Sequence, residues 1–281
     1  MKIFRKDIAW LLGWISGLLL LWIWNLLFLN APSRGLIVTG FANTMFICLF
    51  VIMFSLCFGW GSALALHYLG THGKRTGYLF LTFVLNLIRS IPQIIGVLFG
   101  YIMITYLVVN GTLSNSLVIS IIMAFCMSLF IFNEVADLIT ERIGYYRRLD
   151  FFDAMRVCGI SEWRIINSDI ILKNSRLHII NKLISVFGVA VFLQCSVDFI
   201  ISVGLSNQVS SVNLPATLGS LLAKIDSKQD ILAIGYTLTH PTYVFNLLFK
   251  HLQGISTAFI LVFTLFCMFN IANRYAERHN L

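Results

Sequence analysis

Residues 8–29 form an apolar run without a single charged side chain. As a helix rising 1.5 Å per residue, such a run crosses the roughly 30 Å hydrocarbon layer of a bilayer. Lipid offers no water to satisfy backbone N–H and C=O groups, so a run of this kind has to fold as a helix. Similar runs recur at 41–69, 116–133 and 255–271, and at 179–203 with only Lys182 and Asp198 charged. They restrict the chain to an all-α polytopic membrane protein. Composition agrees: 58% of the 281 residues are hydrophobic and only 11% are charged, against about 25% charged in soluble domains. The net charge of +8 therefore points to placement relative to a bilayer rather than to nucleic acid.

In chain order, the basic start and first apolar run imitate a signal peptide. The run is too long for a signal core, and Asn30-Ala31-Pro32 is a poor cleavage site, so an uncleaved helix is expected. A short loop follows at 30–40, then a second span at 41–69, where Gly59-Trp60-Gly61-Ser62-Ala63 offers small residues for close helix contact. The basic turn at 70–77 fails the spacing of a phosphate-binding loop, so the chain is not expected to bind ATP. Residues 78–109 are too long for one upright span. Arg89-Ser90-Ile91-Pro92 divides them either into an interfacial helix and a membrane helix starting near Pro92, or into the two arms of one proline-kinked, tilted span. A loop at 110–115 precedes the fourth span, 116–133. The fifth is 179–203 and the last 255–271. Between these two, 214–219 predicts the start of a short helix on the outer surface, and His240-Pro241 a break. Six spans place Lys2, Arg5, Lys6, Lys74, Arg75, the cluster from Arg142 to Arg176, Arg274 and Arg278 on one side. By the positive-inside rule both termini and that cluster are cytoplasmic. The six cysteines are scattered without a Cys-x-x-Cys pair and read as reduced packing residues. No histidine pair has credible spacing for zinc, and no metal site is expected.

The longest charged island, residues 147–176, reads as two helices with a break between them. Asp150 can cap the first, with Asp153 three residues on in capping-box spacing. Gly159 suits the left-handed position that ends a helix. Ser161 can cap the second helix, with Glu162 in its positively polarised first turn. Trp163, Ile166 and Ile170 then share one face. By helix signals alone the island is equally well an ordinary loop with local helix.

The run from Asp153 through Ala154, Met155, Arg156, Gly159, Ser161, Glu162, Trp163 and Arg164 to Ile166 resembles the EAA loop of binding-protein-dependent ABC importer permeases, the MetI-like fold. Asp153 stands for the family's Glu, Ala154 and Met155 for its two alanines and Gly159 for its glycine. Leu172 occupies the region where the family has a proline. The closest likeness is to the C-type permease of the dipeptide, oligopeptide and nickel branch, through residues 214–223 and the closing Phe269-Asn270-Ile271-Ala272-Asn273-Arg274. Thr217 replaces that branch's tryptophan, and its long outer loop after the first helix is missing.

The resemblance implies six spans with a cytoplasmic coupling elbow between the fourth and fifth. Residues 1–40 are then an N-terminal transmembrane helix with a short outer loop, and 41–281 the permease core, in a bacterial inner membrane. It implies a second permease subunit, two ATPase subunits that carry ATP and magnesium, an extracytoplasmic substrate-binding protein and lipid as partners. No cofactor on this chain, no nucleic acid and no enzymatic activity of its own are expected. Asp153, Ala154, Met155, Arg156, Gly159, Ser161, Glu162 and Arg164 would couple to the ATPase, Asp153 either as a docking contact or as a plain helix cap.

For the pathway, Asn86, Arg89 and Gln93 recur near one face of the third segment. Gln194 and Asp198 stand four apart on the fifth span, where polar and ionisable residues suggest function. Asp198 equally suits the outer interface. Peptides are the first substrate class, with nickel, phosphonate or another small solute as alternatives. A secondary transporter would need intramembrane carboxylates, which are nearly absent. An intramembrane enzyme would need motifs such as His-Glu-x-x-His, which are missing, and a membrane scaffold completes the alternatives.

Overall fold

The computed structural model describes residues 6–71, 73, 75–204, 214–223, 225–250 and 252–279. Every regular element among the described residues is helical. They are α1 (Lys6–Phe28), α2 (Ala31–Thr71), α3 (Arg75–Ser90), α4 (Gln93–Val109), α5 (Ser116–Ile131), α6 (Asn133–Arg147), α7 (Asp150–Val157) and α8 (Glu162–Arg164). A π-helical segment (Ile165–Asn174) leads into α9 (Arg176–Gly204), followed by α10 (Leu218–Leu222), α11 (Ile225–Thr239), a 3-10 turn (Pro241–Tyr243), α12 (Val244–Lys250) and α13 (Leu252–His279). Four helices, α1, α2, α9 and α13, are each long and apolar enough to cross a membrane. Two bent pairs, α3 with α4 at 90° and α5 with α6 at 47°, raise the number to six if each pair is one span.

The loop expected at 30–40 is instead the first turns of α2. Asn30 accepts a hydrogen bond from the Ser33 amide at 3.1 Å. That cap satisfies one of the free donors at the helix start, and Pro32 beside it has no N–H to satisfy. The division at Ile91-Pro92 is present as a right-angle break. The fourth apolar run bends at Phe132 and continues as α6, whose buried stripe is Val135, Ala136, Ile139 and Ile143.

α2 is the central rod. It packs on α5, α6 and α9, while α13 packs on α9 and α1. Isoleucines 47, 119 and 131, with Val51, Val97, Tyr101, Met123, Met127 and Ala190, fill the middle. Of the small-residue stretch, Gly59 is the position that matters. An added Cβ there would lie 2.7 Å from the Val135 side chain, whereas Gly61 faces open space. α1 sits at the edge, pinned to α13 by the Trp14 indole donating to the Thr264 hydroxyl at 3.1 Å and by Ser256 donating to Asn25 at 2.7 Å.

The short helix after the fifth span begins at Leu218, not Leu214, and it is not on the surface. Thr217 caps it with a full capping box, and Leu218 and Leu221 are buried between α9, α2 and α13. α11, absent from the sequence reading, packs on α13, and Asp230 accepts from the Gly254 amide at 2.6 Å in the first turn of α13. His240-Pro241 does form a break. The basic residues Lys2, Arg5 and Lys74 lie outside the described residues.

Candidate functional site: the elbow and the buried polar contacts

α7 starts after Leu149, so Asp150 is its first helical residue rather than its cap, and no side chain bonds across that end. Asp150 and Asp153 both lie in the first turn, where the helix dipole favours acids. Phe152 is the one buried residue of α7, with the Arg147 guanidinium 5.7 Å over its ring. At the far end the Ile160 amide donates to the Met155 carbonyl at 3.2 Å, and the Gly159 amide to the Arg156 carbonyl at 2.9 Å. This pair is a Schellman motif, and it needs a left-handed residue at Gly159, whose φ is +77°. Met155 and Ile160 both pack on the core, which completes the motif's apolar contact.

Ser161 precedes α8 in extended geometry, but its hydroxyl caps nothing. Glu162 turns inward: its carboxylate meets the His67 ring nitrogen at 2.9 Å, at the end of α2. Asn167 accepts from the Trp60 indole at 2.8 Å. Trp163 does not join Ile166 and Ile170 on a buried face. It is exposed and stacks on Tyr68, 5.7 Å between rings. The reason is the π winding after Arg164, which buries Ile165, Ile166, Ile170 and Ile171 together. Ser175 closes that segment by donating its amide five residues back to Ile170 at 2.8 Å. The elbow is therefore held from within by Phe152, Ile165, Ile166, Glu162 and Asn167. Asp153, Ala154, Arg156, Ser161 and Arg164 are exposed, and Met155 is half-buried.

The sequence model of binding-protein-dependent transport system inner membrane components matches residues 55–278, from the middle of α2 to the end of α13. The chain belongs to that family. It is the membrane-embedded permease of an ABC transport system, whose binding protein and ATPase are separate partners. No curated protein sequence matches it.

In this permease the five polar residues singled out for a pathway fall into two groups. Arg89, at the end of α3, pairs with Asp137 on α6. Gln93, at the start of α4, donates to Glu134 at 3.4 Å, and the other oxygen of Glu134 meets Lys182 of α9 at 2.8 Å. Asn86 is exposed on α3. Gln194 and Asp198 lie three to four turns further along α9, about 18 Å or more beyond Lys182. They are buried. Asp198 accepts from the Thr217 hydroxyl at 2.5 Å, tying α9 to the cap of α10. Gln194 accepts from the Cys48 thiol at 3.4 Å, while its amide nitrogen is buried and makes no hydrogen bond among the described residues. Thr44 accepts from the Leu218 amide at 3.1 Å, and Asn43 donates to the Ala216 carbonyl at 2.8 Å. Gly219 lets α10 approach α9 closely, since a Cβ there would lie 2.7 Å from the Cys195 backbone.

The sequence reading missed His67, Trp60, Asn167, Glu134, Asp137, Lys182, Thr44 and Cys48. Their signal was the presence of polar side chains beside or inside apolar runs. Among the described residues no three His, Cys, Asp or Glu side chains gather to hold a metal, and all six cysteines are free.

Proposed function

We propose that this permease pairs with a second permease to form the import pathway for peptides, and that the segment from Asp150 to Asn174 docks on one of two ATPase subunits. The observation that carries this reading is the elbow itself. Buried anchors hold it from inside, while Val157 at its tip, next to Arg156, is 89% exposed and Trp163, between Glu162 and Arg164, is 59% exposed. A rigid, partly apolar knob on a charged rim has the anatomy of a docking contact. ATP-driven closure of the ATPases would move it as a body and tilt α6 and α9, giving alternating access. Asp153, Arg156 and Arg164 supply the charged rim. Gln194 and Asp198 fit the pathway, because a buried amide nitrogen and a buried carboxyl offer polar contacts in an apolar surround. Peptides are favoured by the resemblance of residues 214–223 and 269–274 to the C-type branch.

The test is a Val157→Cys permease in an otherwise cysteine-free chain, cross-linked in native membranes with a short thiol–amine reagent. A product carrying an ATPase subunit supports the docking. Its absence, with the complex intact by co-purification, rejects it. Uptake of dipeptides and oligopeptides, against nickel in competition, tests the substrate class.

A further inference from the structure

Behind the α7 tip, at the elbow end of the bundle, lies a cavity of about 930 Å³. Its walls come from the last turns of α2, the start of α3, the end of α6, and α7 and α8. Arg75, Arg147 and Arg156 line it, each from a different helix. All three are exposed, and none forms an ion pair among the described residues. The one carboxylate in the lining, Glu162, is already engaged by His67.

Three arginines and a single carboxylate line this concave site, a net positive balance that raises the local potential and draws anions in. The planar guanidinium fork matches phosphate oxygens in pairs. The Arg147 guanidinium lies 5.7 Å over the Phe152 ring, a cation–π contact that helps hold it at the site. The volume falls in the range of small-molecule pockets, about 300–1,000 Å³, which suits a phosphate with its ester group better than a flat protein patch. α3 runs from Arg75 with Leu79, Phe80 and Phe83 exposed on it, so an apolar flank adjoins the cationic site. A lipid headgroup and a soluble phosphate ester share the chemistry this site selects.

We propose that the cavity binds a phosphate-bearing anion, and that the bound anion ties α7, through Arg156, to α3 and α6, through Arg75 and Arg147. The site shares Arg156 with the proposed ATPase rim, while Arg75 and Arg147 belong to the cavity and not to that rim.

The full chain is placed in nanodiscs of phosphatidylcholine alone and titrated with inorganic pyrophosphate by calorimetry, and then in nanodiscs containing phosphatidylglycerol. The native protein binds pyrophosphate in the first. Arg75→Gln and Arg147→Gln each weaken that binding about tenfold, the loss expected for one charge-assisted hydrogen-bonding group. Arg75→Lys weakens it less, and Arg34→Gln at the opposite end of α2 leaves it unchanged. Pyrophosphate also slows alkylation of the exposed Cys158, followed by mass spectrometry. Competition by phosphatidylglycerol supports the proposal with the headgroup as occupant, and undiminished binding supports it with a soluble ester. Monodisperse elution of each variant checks the fold. Failure of native protein to bind pyrophosphate in phosphatidylcholine overturns the proposal, and so does equal binding by Arg75→Gln and Arg147→Gln. Arginine variants that lose only ATPase retention overturn it in favour of an acidic protein partner.

Discussion

Replacing Gly159 tests the elbow most directly. Its φ of +77° is the left-handed region, and an added Cβ would meet no atom within 4 Å. Any penalty is therefore conformational rather than a clash. A left-handed residue bearing a Cβ costs roughly 1–2 kcal/mol, and a β-branched one falls toward the upper part of the roughly 1–3 kcal/mol range for strained backbone. Asparagine tolerates the region better than other non-glycine residues. Relief would require φ to turn negative. That breaks the Gly159 and Ile160 amide bonds at 2.9 and 3.2 Å, draws Ile160 away from Met155 and re-aims the chain entering α8. Membrane insertion depends on apolar length and stays intact. Across Gly159→Asn, Gly159→Ala and Gly159→Val, retention of ATPase subunits in the purified complex and substrate uptake should fall together, in that order. Asp153→Ala should act in the same direction but more mildly, about 0.3–1 kcal/mol, since it removes one first-turn acid. A Gly159→Val complex that keeps its ATPases and transports at the native rate would refute the coupling role. If Asn behaves as badly as Val, positive φ is not the reason glycine is needed.

Four further outcomes can be measured. A single cysteine at Ser161 should escape an impermeant thiol reagent added outside intact cells, while one at Thr112 reacts; strong outside labelling at 161 would reverse the orientation. Asp198→Asn keeps an acceptor for the Thr217 hydroxyl and should assemble normally with altered uptake, and normal uptake of every tested substrate would leave Asp198 a purely structural role. Thr217→Val strands that carboxyl and removes the α10 cap, costing about 1–3 kcal/mol in detergent thermal unfolding, with Thr217→Ser restoring most of it. Gly219→Ala would press a methyl to 2.7 Å from the Cys195 backbone, which no rotamer change relieves, and should cost about 1–3 kcal/mol by the same assay; native stability would mean that α10 does not sit against α9.

The helical class was legible because charge-free runs of membrane length admit little else. The left-handed turn at Gly159 was legible because a glycine stands between two helix-forming stretches, although the side-chain caps expected from Asp150 and Ser161 do not form. The loop wrongly read at 30–40 shows the limit of breaker residues: Asn30 and Pro32 read as a loop, yet they are also a helix start. The π segment left a trace that an α-helical template hides. Ile165, Ile166, Ile170 and Ile171 repeat at intervals of five, and in an α-helix positions five apart diverge by about 140°. Only wider winding buries all four. Trp163 was assigned to the wrong face by the same template. α10 was placed outside because its short apolar sequence says nothing about which helices receive it. Contacts such as Thr217 with Asp198, 19 residues apart, or Asn43 with Ala216, 173 apart, have no local pattern at all.

These contacts also fix how motion can spread through the permease. α9 has 29 residues, so it is a rod about 44 Å long. Near its start, the Arg142 guanidinium donates to Ser175 at 3.4 Å, joining it to α6. Near its end, Asp198 holds the cap of α10. No break interrupts it, so a tilt imposed at the elbow arrives at Asp198 through backbone hydrogen bonds alone. The route to the α3–α4 bend is different in kind. It runs from α6 through Asp137 to Arg89 and through Glu134 to Gln93, contacts between partly exposed side chains. Exposed ion pairs contribute at most about 1 kcal/mol and weaken with salt. High ionic strength should loosen the α3–α4 bend from the elbow while leaving the link to Asp198 intact, so the two ends of the permease can be uncoupled without touching either one.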